Sequence, residues 1–251
     1  MSRPLALVTG GMRRLGAIIA ARLAEAGYDL ALSSHGDGQP EPILAQTLES
    51  SGAQWLHFPA DLSDPTKAAV LIRSVCDHFG RAPDLLVNNA AMFGQDNWQE
   101  MDNASLAAHF QLNLFSPLLL SNALVAAAGK DQHPAIVHIV DQRIQNPNGD
   151  QLSYTVSKQA LAASVRTLAM AFGTRARVNG VAPGLVIPTD DYDDAQMTRL
   201  ASEMPLGRLP DPANVAEAVL YLAKARDVTG QILFVDGGAS LKSFDRDFMH
   251  L

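Results

Sequence analysis

The chain has 251 residues, 47% hydrophobic and 18% charged, with a formal net charge of −7. This length suits one α/β domain with a sizeable core, and the composition excludes a disordered chain. The acidic balance argues against a nucleic-acid partner or an anionic membrane surface.

In chain order, the apolar run Leu5-Ala6-Leu7-Val8 reads as a buried parallel strand entering the turn Thr9-Gly10-Gly11. It is too short for a signal peptide. No window approaches the length of a membrane span, so the cytoplasm is the expected compartment. Leu15, Ile18, Ile19, Leu23 and Ala26 follow at helical spacing until Gly27 stops the helix. Leu30-Ala31-Leu32 predicts a second strand, residues 42–51 a helix, and Trp55-Leu56-His57-Phe58 a third strand. Residues 65–79 predict a helix with Pro65 at its start. Its single cysteine, Cys76, excludes an internal disulfide and reads as core filler.

Leu85-Leu86-Val87 forms a fourth strand, and residues 105–128 one long helix in which Pro117 predicts a kink or irregularity. Ile136-Val137-His138-Ile139-Val140 is a fifth strand. A helix with Leu161, Val165, Leu168 and Phe172 on one face follows. A strand at 178–181, a helix at 213–223 and the strand Ile232-Leu233-Phe234-Val235 complete the alternation. The expected fold is a Rossmann-type, doubly wound, seven-stranded parallel α/β sheet, with residues 1–251 as one domain.

Two places carry chemistry. The turn from Thr9 to Gly16 joins a strand to a helix, where backbone N–H groups and the helix dipole can hold a pyrophosphate. Tyr154 and Lys158 lie one helical turn apart. An ammonium there should lower the phenol pKa and make it a better proton donor. A surface tyrosine with a snorkelling lysine is the alternative. The scattered histidines His57, His78, His109, His133 and His138 have no metal-ligand spacing, so no metal site is expected.

These features, in this order, resemble the short-chain dehydrogenase/reductase family from end to end. The family's TGxxxGxG turn stands here with Arg14 at the middle glycine. Asp61-Leu62 matches its adenine-contacting acid, Asn88-Asn89-Ala90-Ala91 its NNAG and Asn113 its active-site asparagine. Tyr154 and Lys158 match YxxxK, and Pro183-Gly184 follows the sixth strand. The resemblance implies a cofactor site at Gly10, Arg13, Arg14, Leu15, Ser34, His35, Asp61, Leu62, Asn89, Ala90, Pro183 and Gly184. It also places Tyr154 and Lys158 at the cofactor, with Lys158 holding the nicotinamide ribose, and implies that Asn113 orders a water leading from Lys158.

Arg14 resembles the TGxxxRxG turn of pteridine and dihydromonapterin reductases. The catalytic hydroxyl position, thirteen residues before Tyr154, holds Asp141 where most members have serine. An ionised carboxylate accepts only, so it would repel a growing alkoxide yet suit a substrate with N–H donors. The alternative is an aspartate that caps the loop after the fifth strand. Phe93 matches the phenylalanine that stacks a pterin against nicotinamide, although a core or lid role is open. Ala91 and Val186 replace hydroxyl residues of those enzymes, which puts the identity of the pterin in question.

The second strand ends in Ser33-Ser34-His35-Gly36, with Asp37 too far along to select NAD. Arg13 resembles the family's 2′-phosphate contact, so NADPH is expected. The expected reaction is reduction of a dihydropterin by Asp141, Tyr154, Lys158 and Asn113, with Arg14 and Phe93 holding the ring. A general carbonyl or 3-oxoacyl-thioester reductase and a non-catalytic NADP-binding sensor are the rivals. Asp190, Asp191, Asp193 and Asp194 precede a short helix as a solvated lid face, within a long 184–210 connection. The resemblance implies a homotetramer built on the helices after the fourth and fifth strands, and a tail, residues 243–251, that meets a neighbouring subunit.

Overall fold

Among the described residues, seven strands form: β1 (Leu5–Thr9), β2 (Asp29–Ser34), β3 (Trp55–Pro59), β4 (Leu85–Asn88), β5 (Ala135–Ile139), β6 (Arg177–Pro183) and β7 (Ile232–Val235), the edge strands β3 and β7 more exposed than the others. The computed structural model describes residues 3–36, 38–187 and 192–251. The strands form one sheet in the order β3-β2-β1-β4-β5-β6-β7, every neighbouring pair parallel. The order reverses between β1 and β4, which opens a crevice at their carboxyl ends.

Among the described residues, eight α-helices accompany the sheet: α1 (Arg14–Glu25), α2 (Pro42–Ser51), α3 (Lys67–Phe79), α4 (Asn103–Phe110), α5 (Ser116–Ala127), α6 (Leu152–Phe172), α7 (Asp194–Glu203) and α8 (Pro212–Lys224). Side chains of a strand alternate between faces, and β1 divides accordingly. Ala6 and Val8 pack into the layer of Ile19, Leu23, Val215 and Val219. Leu5 and Leu7 pack into that of Leu71, Ile72, Leu120 and Leu124. The doubly wound sheet expected from the sequence is therefore present.

Three local expectations need correction. Pro65 lies outside α3, because Asp61 and Asp64 accept from the N–H groups of Ser63 and Thr66 at 2.9 and 2.8 Å and hold a turn first. The long helix is interrupted by a wider π-type turn, Gln111–Phe115. Pro117 has no N–H to give the Asn113 carbonyl four residues back, so the irregularity falls just before the proline. The helical segment Asn103–Ala127 is also long and apolar enough, by length and composition, to cross a membrane. Its α5 portion packs on α3 and its α4 portion on α6, which buries part of that apolar surface within the domain.

Candidate active site

The glycine-rich turn is shaped by close backbone approach. Gly10 takes a φ of +62°, and a Cβ on Gly16 would collide with the Gly10 carbonyl. Asn89 fastens this turn to the end of β4, its Nδ2 donating to the carbonyls of Thr9 and Gly10 at 2.9 and 3.2 Å. The Thr9 hydroxyl accepts from the N–H groups of Asn89 and Ala90, both at 3.0 Å. Arg14 has a φ of +51°, uncommon for a side chain of its size. Its N–H donates to Glu41 Oε1 at 2.8 Å and its Nη2 to the Ile187 carbonyl at 3.3 Å.

A cleft of about 460 Å³ lies over this turn, lined by Gly10, Arg13, Arg14, Leu15, Ser34, His35, Asp61, Leu62, Asn89 and Ala90 among others. Ten of the residues expected around a dinucleotide thus converge on one cleft. The Ser34 hydroxyl is 2.9 Å from His57 Nε2, and His35 Nε2 lies 3.8 Å from Asp61 Oδ2. The Ser63 hydroxyl and N–H hold the Asp61 carboxyl below its ordinary pKa. Asp37 lies outside the described residues.

A second cavity, about 440 Å³, adjoins the first and shares Arg14 and Ala91 with it. Asp141, Arg143, Tyr154, Phe93 and Gly184 line it. Tyr154 is 8% exposed, and its hydroxyl donates to Asp141 Oδ2 at 2.9 Å. Phe93 stands edge-on to Tyr154, with ring centroids 4.9 Å apart, and is half exposed. The larger cavity of about 1050 Å³ lined by Tyr28, Arg177 and Arg226 is at the other end of the sheet. There the Arg177 guanidinium donates to the Leu222 and Ala223 carbonyls at the end of α8.

The expected depression of the Tyr154 pKa is reversed. Burial raises it well above the ordinary value, and the Asp141 carboxylate adds to the rise, since both disfavour a phenolate. Lys158 donates to the Ile139 carbonyl at 2.7 Å and its Nζ lies 5.8 Å from the centroid of the Tyr154 ring. Burial lowers the Lys158 pKa to about 8. Asn113 pins the loop before Phe93 to α6. Its Nδ2 donates to the Met92 carbonyl and to Ser157 Oγ, both at 3.0 Å, and its Oδ1 accepts from the Met92 N–H at 2.9 Å.

Arg143 is the residue sequence reading missed. It follows Asp141 by two positions, and its backbone N–H and Nε donate to Asp141 Oδ1 at 2.9 and 3.2 Å. Asp141 therefore caps the loop after β5 and bonds Tyr154 at the same time. The Arg143 guanidinium lies 5.2 Å from the Tyr154 ring centroid and 5.7 Å from that of Phe93. Burial works against its charge, but Asp141 and Asp247 outweigh that and raise its pKa. In the sequence, only its place two residues after Asp141 points to it.

The tail folds onto its own chain, with Asp247 and Phe248 buried and Met249 lining the second cavity. Asp193 caps α7 by accepting from the Gln196 N–H at 2.7 Å, and Asp194 occupies the first turn. Asp190 and Asp191 lie outside the described residues. Val186 packs against the α1 side of the core. Gly184 passes so close to Asp236 that a Cβ would meet its backbone at 2.9 Å.

Residues 11–240 match the family model described as Enoyl-(Acyl carrier protein) reductase. The granaticin polyketide synthase putative ketoacyl reductase 2 of Streptomyces violaceoruber is 32% identical over 95% of this chain and 96% of its own. A 3-oxoacyl-[acyl-carrier-protein] reductase of Staphylococcus aureus is 27% identical over 93% and 96%. Among solved structures, FolM alternative dihydrofolate reductase 1 from Brucella suis, in complex with NADP, superimposes with a TM-score of 0.86 at 33% identity, covering 98% of both chains. The 3-oxoacyl-[acyl-carrier protein] reductase from Brucella melitensis, in complex with NAD, gives 0.86 at 29% identity, covering 97% and 100%.

Proposed function

Because the chain belongs to the short-chain dehydrogenase/reductase family of oxidoreductases, we propose that it uses NADPH to reduce a dihydropterin at a ring C=N bond. The observation that carries this reading is Asp141, a pure acceptor at the position of the catalytic hydroxyl, bonded to Tyr154 in a cavity with an exposed Phe93 face. A flat heterocycle with N–H donors satisfies all three groups. The structural relative named as an alternative dihydrofolate reductase supports the same class.

The first cleft fits a dinucleotide: the bare backbone at Gly10 and Gly16 leaves room for close approach, which a Cβ at Gly16 would fill. Arg13 is the residue for a 2′-phosphate, with Ser34 and His35 beside it, and Lys158 for the nicotinamide ribose. The bound nicotinamide would supply the hydride to the ring carbon. Tyr154 then moves its hydroxyl proton to the ring nitrogen, so hydride and proton together convert C=N to CH–NH. Its raised pKa keeps the phenol protonated until that nitrogen becomes basic. Asp141 orients the hydroxyl and accepts from substrate N–H groups, and Arg14, between the two cavities, bridges phosphate and pterin.

A second reading, reduction of a 3-oxoacyl thioester, is favoured by the ketoacyl and 3-oxoacyl reductases among the relatives. Parallel turnover of dihydropterins and ketones with NADPH separates the two. Phe115, Leu119 and Val156, each a third or more exposed on the helical layer after β4 and β5, suit the assembly of four copies.

A further inference from the structure

Arg143 binds together segments that are far apart in the chain. Beyond its two bonds to Asp141, its Nη1 donates to Gln151 Oε1 at 3.0 Å and its Nη2 to Asp247 Oδ2 at 2.8 Å. The Arg143 and Asp247 side chains are only 9% and 4% exposed. A second path joins the same partners, because Gln151 Nε2 donates to Gln95 Oε1 and Gln95 Nε2 to Met249 Sδ, both at 3.0 Å. The tail from Asp247 to Met249 closes this into a ring. Gln151 sits in the ring with a φ of +45°, a conformation that a non-glycine residue keeps only where its surroundings hold it.

The far side of the tail is held as well. The Asp247 N–H donates to Asp150 Oδ2 at 2.8 Å. Gln196 Nε2 on α7 donates to the Phe248 carbonyl at 2.9 Å, and Phe248 packs with Leu200 and Met204. The tail thus ties the helix of the 184–210 connection to the loop that carries Asp141.

We propose that residues 247–249 form a fixed wall of the substrate cavity and that Asp247, acting through Arg143, is a positioning residue for the Asp141–Tyr154 pair. Without Asp247, Arg143 keeps Asp141 as its carboxylate partner but loses the contact that fixes its far end, and is free to shift against the Phe93 and Tyr154 rings. Asp141, Arg143 and Asp247 do not line the nucleotide cleft, so NADPH affinity should change little. The proposal holds for a dihydropterin or a ketone substrate, since it concerns the acid pair and not the ring that meets it.

The test uses the full chain with Asp247→Ala, Asp247→Asn and Asp247→Glu. It measures NADPH affinity, kcat and KM for whichever substrate the wild type reduces, and trypsin cleavage after Arg246. In the alanine variant kcat should fall, and cleavage should accelerate, each by at least about tenfold, with NADPH affinity within about twofold. The glutamate variant should recover much of both losses. The asparagine variant, which keeps the side-chain shape, should fall between them and serves if the alanine variant does not fold. Wild-type kcat and KM in Asp247→Ala, unchanged protection at Arg246, or an equal loss of NADPH affinity would each overturn the proposal. If the wild type reduces ketones only, the pterin reading fails and the same comparison still decides the role of Asp247. If it reduces neither, unchanged protection in Asp247→Ala removes the wall, and faster cleavage keeps it.

Discussion

The Tyr154 hydroxyl donates to Asp141 Oδ2 at 2.9 Å, so the proposed proton donor rests on a carboxylate. Tyr154→Phe removes the proton and keeps the ring beside Phe93 and Arg143. Turnover should fall by about a hundredfold or more, as for loss of a general acid, with NADPH affinity within about twofold. Single-turnover kinetics and a fluorescence titration measure the two quantities. A variant with near wild-type turnover would remove Tyr154 from its assigned role.

Asp141→Ser exchanges an acceptor for a hydroxyl that can donate to a developing alkoxide. Dihydropterin turnover should drop by roughly tenfold or more, and ketone turnover should rise. Steady-state rates on both substrates read the sign directly, and a parallel loss on both would count against the discriminating role of Asp141.

Lys158 sets an alkaline limit. Burial lowers its pKa from 10.5 to about 8, so its ammonium is present below that pH and is lost as the pH rises through it. NADPH affinity should be level up to about pH 8 and weaken above it. Titrations across this range should show the step in the wild type and none in Lys158→Met.

Arg13 borders both the main cleft and the small recess beside Ser34 and Gly36. Arg13→Ala should weaken NADPH roughly ten- to hundredfold, the worth of a charge-assisted contact, and leave NADH affinity nearly unchanged. Paired dissociation constants for the two cofactors measure it; equal losses would move the 2′-phosphate contact elsewhere.

His138 makes the fold acid-sensitive. It is fully buried with its Nε2 unpartnered, and burial lowers its pKa from 6.5 to about 3. Its neutral form favours the folded chain above pH 6.5, and this contribution is lost progressively as the pH falls from 6.5 towards 3. Between pH 7 and pH 5 the loss should be about 2 kcal/mol. Urea unfolding at both pH values should show that difference in the wild type and a smaller one in His138→Gln.

The alternation of Leu5-Ala6-Leu7-Val8 and its counterparts with helical patterns was enough to read the sheet, because burial on both faces writes itself into continuous apolar runs. The cleft over the glycine-rich turn was equally legible, since the close backbone approach there needs Gly10 and Gly16. Arg143, Gln151 and Asp247 were not. Their partners lie 104 positions apart in one case, and no local pattern records a long-range ion pair. The sign of the Tyr154 pKa shift is hidden for a related reason: helical spacing reveals Lys158, but burial and the nearer Asp141 decide it.

The most direct measurement follows NADPH oxidation by the purified full-length enzyme with dihydromonapterin, dihydrobiopterin, dihydrofolate and a panel of ketones and 3-oxoacyl thioesters. We expect a dihydropterin to be reduced with the highest kcat/KM and the ketones poorly. Efficient reduction of the ketones or thioesters with no turnover of any dihydropterin would contradict the central claim.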